Sequence, residues 1–176
     1  NISWKEHIID DSSIGPPDLA GSDGLVMADL DKDGYIDIVS VHELDTEYGV
    51  PEGYVRIAWG SEDPFTWIST TLASGSEAPS AEDVDVADAD GDGWLDIVVA
   101  CELAHLVYFK NPTKHHRKVH WQRTIPESTL NRGSFIRVFF SDLDGDGRVE
   151  VVTANKGGEN ATGSNSPLKN VSFYKL

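Results

Sequence analysis

Three nine-residue stretches of this chain place carboxylates at spacings that can surround a single cation. They span residues 29–37, 88–96 and 142–150, and we call them loops 1, 2 and 3, with positions numbered 1 to 9. Acidic side chains occupy positions 1, 3, 5 and 9 of every loop, and glycine occupies position 6. Three copies of one acidic pattern, in register, indicate a metal-binding role.

The chemistry of this pattern favours a hard cation. Alternate side chains point into the loop, the glycine permits a sharp turn, and the carbonyl at position 7 can complete an oxygen shell. A shell of oxygen ligands alone favours Ca²⁺ over Zn²⁺ or Cu²⁺. We therefore predict up to three Ca²⁺ ions, with ligands from Asp29, Asp31, Asp33, Tyr35, Asp37, Asp88, Asp90, Asp92, Trp94, Asp96, Asp142, Asp144, Asp146, Arg148 and Glu150.

The alternative to consider is an EF-hand, which needs a glutamate at position 12 and a helix on each side of the loop. Position 12 is occupied here by Ser40, Val99 or Thr153. The residues after each loop form β-branched runs (36–41, 95–100 and 149–154), and short apolar runs also precede each loop. Such runs are typical of buried strands. Each loop is therefore predicted to cap a β-hairpin.

The same organisation repeats every 54 to 59 residues, counted between loop starts at 29, 88 and 142. An aromatic-led segment, at Trp4, Trp67 or Trp121, precedes each loop, and a further strand-like segment follows each hairpin. Four short strands per unit predict an all-β fold of β-propeller blades, each a four-stranded antiparallel sheet. The predicted blades are 1–60, 61–111 and 112–176, with the Trp-led strands at the blade edges.

Three blades are fewer than a closed propeller needs, because propellers close with about four to eight blades. The chain is therefore predicted to form part of a larger propeller of about seven blades. The alternative is that copies of the chain associate to close a ring. In either case the first or third blade is expected to expose an apolar face unless something covers it.

The motif Asp-x-Asp-x-Asp-Gly-x-x-Asp followed by Ile-Val-x-Ala resembles the FG-GAP/VCBS repeats of calcium-binding β-propellers. The likeness extends over all three units, although Glu150 stands where the pattern has aspartate. The resemblance implies the propeller fold and Ca²⁺ binding. It also implies a role among secreted adhesion proteins, lectins, polysaccharide lyases or sugar dehydratases, so it leaves the function open.

The formal net charge of −16 argues against nucleic acids and anionic membranes as partners. No apolar run approaches the ~20 residues of a membrane-spanning helix. Cys101 is the only cysteine, ends an apolar run and is expected to be a buried, unreactive thiol. Asn-x-Ser/Thr sequons suggest a secreted glycoprotein, modified at Asn1, Asn160 or Asn170.

Hairpin geometry predicts a second group of residues at the hairpin ends remote from the loops. If positions 1 and 9 of a loop face each other, Asp23 lies opposite Glu43, and Glu82 lies opposite Glu102. Like charges across a strand pair repel and raise the pKa of one partner, so a cation, a basic side chain or a polyhydroxyl ligand is expected there. The candidate residues are Asp23, His42, Glu43, Glu82, Asp83, Glu102, Arg137 and Lys156.

Two classes of function follow. The first is a secreted, Ca²⁺-stabilised module that binds carbohydrate or mediates extracellular interactions. The second is a carbohydrate-active lyase or dehydratase that uses a metal or the carboxylates at the mouth of the propeller channel. His115 and His116, in a basic turn, are interpreted as solvated loop residues.

Overall fold

The computed structural model describes residues 2–17, 19, 21–43, 52–102, 104–130, 132–157 and 170–175. Within these ranges the chain forms eleven β-strands and a single short 3-10 turn at Glu127–Thr129. The strands assemble into three antiparallel sheets. The predicted all-β class is confirmed.

Each sheet is a meander whose neighbouring strands follow one another in the chain. Sheet 1 contains β1 (Gly24–Ala28), β2 (Asp37–Glu43), β3 (Gly53–Trp59) and β4 (Ile68–Gly75). Sheet 2 contains β5 (Ala81–Ala87), β6 (Asp96–Cys101), β7 (Leu106–Lys110) and β8 (Gln122–Thr124). Sheet 3 contains β9 (Phe135–Ser141), β10 (Glu150–Asn155) and β11 (Asn170–Lys175).

Sheet 2 lies between the other two and is buried on both faces. Side chains alternate between the faces of a strand, so Ile97 and Val99 of β6 join the core shared with sheet 1, while Val98 and Ala100 join the core shared with sheet 3. Every residue of β6 is buried. This explains why its sequence is a continuous apolar run rather than an alternating one. Complete burial of a valine side chain contributes about 1.5–3 kcal/mol.

The first strands of the three sheets lie side by side, because β5 contacts both β1 and β9. Gly24 permits the close approach of β1, since a Cβ there would lie 2.8 Å from the Cα of Asp83 and from the carbonyl oxygen of Glu82. The loop ends and the remote ends of the three hairpins are thereby aligned.

The predicted blade limits need a correction at each Trp-led segment. Strand β4, just after Trp67, pairs with β3 in sheet 1, and β8, just after Trp121, pairs with β7 in sheet 2. Each strand returns along the free edge of the strand before it, so it completes the preceding sheet. The segment at Trp4 forms no strand, and Trp4 is 90 % exposed.

Apolar side chains are exposed on both end sheets, as expected. Sheet 1 exposes Leu25 and Met27, and sheet 3 exposes Phe139, Val171 and Phe173. The N-terminal segment covers another part of sheet 1, where Asp10 forms a buried ion pair with Arg56. Cys101 is completely buried, and desolvation raises the pKa of its thiol to about 12, so the expectation of an unreactive thiol is met.

Candidate functional site

The carboxylates at positions 1, 3 and 5 converge in all three loops. One oxygen from each of the three side chains lies within 4.8 Å of the other two, and we call each group a triad. The glycine at position 6 adopts φ of +92° in loop 1, +88° in loop 2 and +86° in loop 3, the left-handed region that glycine enters most easily. The triads are Asp29, Asp31 and Asp33; Asp88, Asp90 and Asp92; and Asp142, Asp144 and Asp146.

Local hydrogen bonds hold each triad in place. The position 1 carboxylate accepts the amide of the position 6 glycine, at 3.0 Å in loop 1, 2.9 Å in loop 2 and 3.0 Å in loop 3. The position 5 carboxylate accepts the amide of the position 7 residue, at 2.9, 3.0 and 2.9 Å. The amides of Tyr35, Trp94 and Arg148 are thus engaged, and their carbonyls keep the role of predicted ligands.

Position 9 also holds the fold together, a role that the sequence analysis did not foresee, and its predicted part as a metal ligand stays a prediction. Asp37 is fully buried and accepts the amides of Leu30 and Gly60, both at 2.9 Å. Asp96 and Glu150 are also buried and accept backbone amides. Desolvation raises the pKa of Asp37 to about 6. The position 9 carboxylates thus help to close the hairpins, whereas the groups that converge within 4.8 Å contain positions 1, 3 and 5.

Each triad is bound by a basic side chain of the same chain. In loop 1, Arg117 donates from Nε to Asp31 and from Nη2 to Asp33, each at 2.6 Å. In loop 2, Lys110 pairs with Asp90 and, at 3.1 Å, with Asp92.

Loop 3 has the same arrangement. Lys175 pairs with Asp144, with Asp146 at 3.8 Å and with Glu150 at 3.5 Å. The carboxylates at positions 3 and 5 are therefore the two that contact the basic side chain in every loop.

Two triad oxygens are buried without a hydrogen-bond partner: Oδ1 of Asp31 and Oδ1 of Asp88. An unsatisfied buried carboxylate oxygen is costly, and a cation in the loop would satisfy it. The candidate metal ligands of each triad are all carboxylate oxygens, which suits Ca²⁺. The residues present therefore fit the ion that the motif suggests.

Loops 1 and 2 are fastened together directly. Lys32, at position 4 of loop 1, donates to the carbonyl of Gly93 at 2.5 Å and lies 4.4 Å above the ring of Trp94. Trp94 also packs against His116 at 4.6 Å between ring centroids. His116 is 8 % exposed, so its interpretation as a solvated loop residue is wrong.

Asn111 is the centre of this contact and is fully buried. Its Nδ2 donates to the carbonyls of Leu30 and Leu95, at 3.1 and 3.0 Å. Its Oδ1 accepts from the Nδ1 of His116 at 2.7 Å and from the amide of Thr113 at 3.0 Å. One side chain thus connects the backbones of both loops.

Loops 2 and 3 instead face each other across a cleft of about 830 Å³. The loop 2 wall contains Asp88 and Asp90, and the loop 3 wall contains Arg148 and Glu150. Tyr108 and Lys175 complete the polar lining. Loop 2 therefore packs directly against loop 1 on one side and borders an open cleft toward loop 3 on the other.

At the remote hairpin ends the structure brings together Asp23, Glu43 and Glu82, with one oxygen of each within 4.8 Å of the others. Glu102 interacts with Glu82 and pairs with Lys156. Desolvation, followed by the neighbouring carboxylates, raises the pKa of Glu82 to about 7. We call Asp23, Glu43, Glu82 and Glu102 the acid cluster.

The register behind this grouping was wrong by one residue in every hairpin. Gly24 pairs with Val41, Asp83 with Ala100, and Arg137 with Ala154, whereas the prediction paired each with the following residue. The ladder begins between position 9 and the residue before position 1, because position 1 turns inward to bond the loop. The acids still meet because Asp23 lies outside β1, where its carboxylate accepts the amide of Glu43 at 2.8 Å.

Three predicted members lie elsewhere. His42 is buried on the opposite face of β2 from Glu43, with its Nε2 at 2.9 Å from Oγ of Ser40. Asp83 accepts the amide of Val138 at 3.0 Å and so connects sheets 2 and 3. Arg137 is exposed and donates to the carbonyl of Ile136.

The sequons have mixed outcomes. Asn1 and Asn160 lie outside the described residues. Asn170 begins β11, where it is half-buried and pairs with Asn155.

Sequence reasoning missed the basic residues that bind the triads, Arg117, Lys110 and Lys175, as well as Asn111. One signal was present in hindsight, because Lys110 and Lys175 both end the strand that follows a hairpin.

A stack of antiparallel meanders, each turned by an acidic nine-residue loop, defines a β-rich repeat module. The family model described as FG-GAP-like repeat matches residues 29–99, which contain loops 1 and 2, strands β2 to β5 and most of β6. The resemblance to FG-GAP-type repeats is confirmed over that stretch. Such repeats suggest an extracellular or adhesion-type module. Comparison with curated protein sequences found no match.

Proposed function

We propose that this chain is an extracellular interaction module whose three acidic loops each bind one Ca²⁺. The observation that carries the proposal is the convergence of three carboxylates in every loop, with buried, unpartnered oxygens on Asp31 and Asp88. The protein ligands are the side chains at positions 1, 3 and 5, joined by the carbonyl at position 7. Bound Ca²⁺ offsets two of the three negative charges of the triad and thereby stabilises each hairpin turn.

The same proposal includes the arrangement of the sheets. Three meanders lie face to face with their first strands adjacent, and both end sheets expose apolar side chains. Those faces are suited to pack against further blades of a β-propeller, or against another copy of the chain. In this role Ca²⁺ is structural, and the ligand-binding surface lies elsewhere on the module.

Calcium removal is the test. Ligand binding to the folded state alone contributes about 2.7 kcal/mol per site when the free ion is at 100 times its Kd. For a chain of this size 1 kcal/mol corresponds to about 2–4 °C. We expect the melting temperature in saturating Ca²⁺ to exceed that in EDTA by about 10 °C or more, and calorimetric titration to give up to three sites.

Variants of position 3 assign the sites. Asp31→Asn, Asp90→Asn and Asp144→Asn should each remove one site, while the matched control Asp23→Asn at the acid cluster should leave the three loop sites in place. Melting curves that superimpose in EDTA and Ca²⁺ would contradict the proposal.

The acid cluster supports a second candidate, a site for a carbohydrate or a further cation and, if catalytic, a lyase or dehydratase role. The observation that favours it is the convergence of three carboxylates together with the pKa of Glu82 near 7, a value suited to proton transfer at neutral pH. A glycan array and a uronide-cleavage assay test the two forms of this candidate. Glu43→Gln and Glu102→Gln should weaken ligand or metal binding without lowering the melting temperature. Lower stability with unchanged binding would make these residues structural.

A further inference from the structure

The regularity of the basic side chains at the loops extends beyond what the repeat motif requires. In all three loops one basic side chain binds the carboxylates of positions 3 and 5. The element that supplies this basic side chain differs, however. Lys110 and Lys175 end the third strand of their own sheet, whereas Arg117 comes from the segment after β7 and reaches across to loop 1.

Strand register explains the difference. Lys175 pairs with position 9 of loop 3 in the ladder, and Lys110 occupies the matching place in sheet 2. The matching residue of sheet 1 is Trp59, which has no charge. Arg117 supplies the charge there, with its guanidinium 5.1 Å from the Trp59 ring centroid. Loop 1 thus lacks a basic residue at the end of its own third strand. Arg117, from the segment after β7, takes that place and contacts the same two loop positions.

We propose that Lys110, Lys175 and Arg117 are internal counter-cations that occupy the loops in the absence of metal and set the metal affinity by competing with it. The inference rests on the proposed function and names the residues that regulate those sites. An ammonium or guanidinium group and Ca²⁺ are both attracted to the carboxylates of positions 3 and 5, which the basic groups contact through Oδ2. The metal therefore competes with the basic group for these two carboxylates.

The competition has two consequences. The metal-free loop is less repulsive than its four carboxylates suggest, since one charge is always compensated locally. The affinity for metal is also lowered by the stability of the internal ion pairs, which are partly exposed and individually weak. Lys110 and Lys175 have exposed fractions of 37 % and 55 %, so they can swing into solvent when metal enters.

Arg117 has an additional structural role, because its contacts join sheet 2 to loop 1. Its side chain is less exposed, at 30 %, and its two hydrogen bonds are well formed. Loop 1 is therefore expected to exchange its internal cation least readily. For this reason the lysines, and not Arg117, provide the clean test.

The experiment compares Lys110→Met and Lys175→Met with the wild-type chain by calorimetric Ca²⁺ titration at low ionic strength. Methionine retains a long apolar stem while it removes the charge. We expect each variant to raise the affinity of its own loop by about twofold to tenfold, since each lysine forms two or three weak ion pairs. Lys156→Met is the matched control, because it removes the same charge from an ion pair at the remote end.

A second measurement separates displacement from a general effect of charge. In EDTA, Lys110→Met and Lys175→Met should lower the melting temperature, because the triad loses its counter-cation. In saturating Ca²⁺ they should leave it equal to or above the wild-type value. This reversal of sign supports competition, and Lys156→Met should shift the melting temperature in the same direction under both conditions.

The remaining outcomes are distinct. If the wild type binds Ca²⁺ and both lysine variants bind it no more tightly than Lys156→Met, the competition is refuted and the calcium proposal stands. If the variants bind Ca²⁺ and the wild type does not, the competition is supported in its strongest form. If none of the chains binds Ca²⁺, the proposed function falls and the inference falls with it.

Discussion

The boundary between loops 1 and 2 and the boundary between loops 2 and 3 are built from the same motif, yet one is packed and the other is open. At the first boundary Lys32, Trp94 and Asn111 form hydrogen bonds and ring contacts that connect the two loops. At the second boundary the loops are separated by a cleft of about 830 Å³. Residues other than the acidic ligands of the motif, both within the loops and beyond them, decide how neighbouring repeats meet.

Position 4 shows how this works. Loop 1 has Lys32 there, long enough to reach loop 2, whereas loop 2 has Gly91, which has no side chain to extend toward loop 3. Position 7 reinforces the difference, since loop 2 presents the flat ring of Trp94 to Lys32, while loop 3 presents the charged Arg148. An aromatic face attracts a lysine, and an arginine repels it.

The largest expected effect comes from breaking the packed boundary at its centre. Asn111→Ala removes four side-chain hydrogen bonds, two of them buried, and leaves the carbonyls of Leu30 and Leu95 without their bonds to this side chain. We expect a loss of about 3 kcal/mol in the free energy of unfolding, measured by urea denaturation. Arg148→Ala, in the wall of the open cleft, should stay within about 0.5 kcal/mol of wild type. Similar losses from the two substitutions would show that the boundaries are energetically alike.

An exchange at position 4 sharpens the comparison with a smaller effect. Lys32 has a φ of 59° and Gly91 a φ of 77°, so both occupy the left-handed region. Lys32→Gly relieves backbone strain but loses the hydrogen bond to Gly93 and the contact with Trp94, and we expect a net loss of about 1 kcal/mol.

The reverse change at the other boundary is the control. Gly91→Lys should also cost about 1 kcal/mol, because it adds strain and gains no aromatic partner. A stabilising Gly91→Lys, measured in the same denaturation experiment, would mean that the cleft can close as the first boundary does.

The smallest expected effect concerns the remote end of the boundary between sheets 1 and 2, where charges repel. The pKa of Glu82 is raised from 4.5 to about 7, so the folded state binds its proton more tightly than the unfolded state does. The contribution of this carboxyl to the free energy of unfolding is therefore fully present below about pH 4.5, and it is lost as the pH rises to about 7. Glu82→Gln should flatten the decline in melting temperature across this window. An unchanged pH profile would remove Glu82 as its source.

The remote end between sheets 2 and 3 differs, because Lys156 pairs there with Glu102. Lys156→Met should steepen the same decline, since it removes the one basic group that pairs with the acid cluster among the described residues. The two variants therefore act in opposite directions on a single pH profile.

Much of the local structure could be predicted because it depends on neighbours in the chain. The acidic loops, the left-handed glycine at position 6 and the β-branched runs after each loop determine a hairpin within about fifteen residues. The predicted register failed by one residue for a reason that is also local, since position 1 leaves the ladder to bond the amides of its own loop.

The assignment of strands to sheets could not be predicted with the same reliability. A strand that follows a turn can pair with the strand behind it or begin the next sheet, and Trp67 and Trp121 mark such strands without deciding between these options. Pairing with the preceding strand prevailed, because that edge is already in place and the connection is short.

By itself, therefore, the sequence determined the hairpins and the convergence of positions 1, 3 and 5, because both arise within single loops. The tertiary structure decided the burial of position 9, the basic partner of each triad and the difference between the two boundaries. Arg117 lies 84 residues from Asp33 in the chain and 2.6 Å from it in space. Contacts of that kind depend on how the sheets stack, and the spacing of residues along one strand does not encode them.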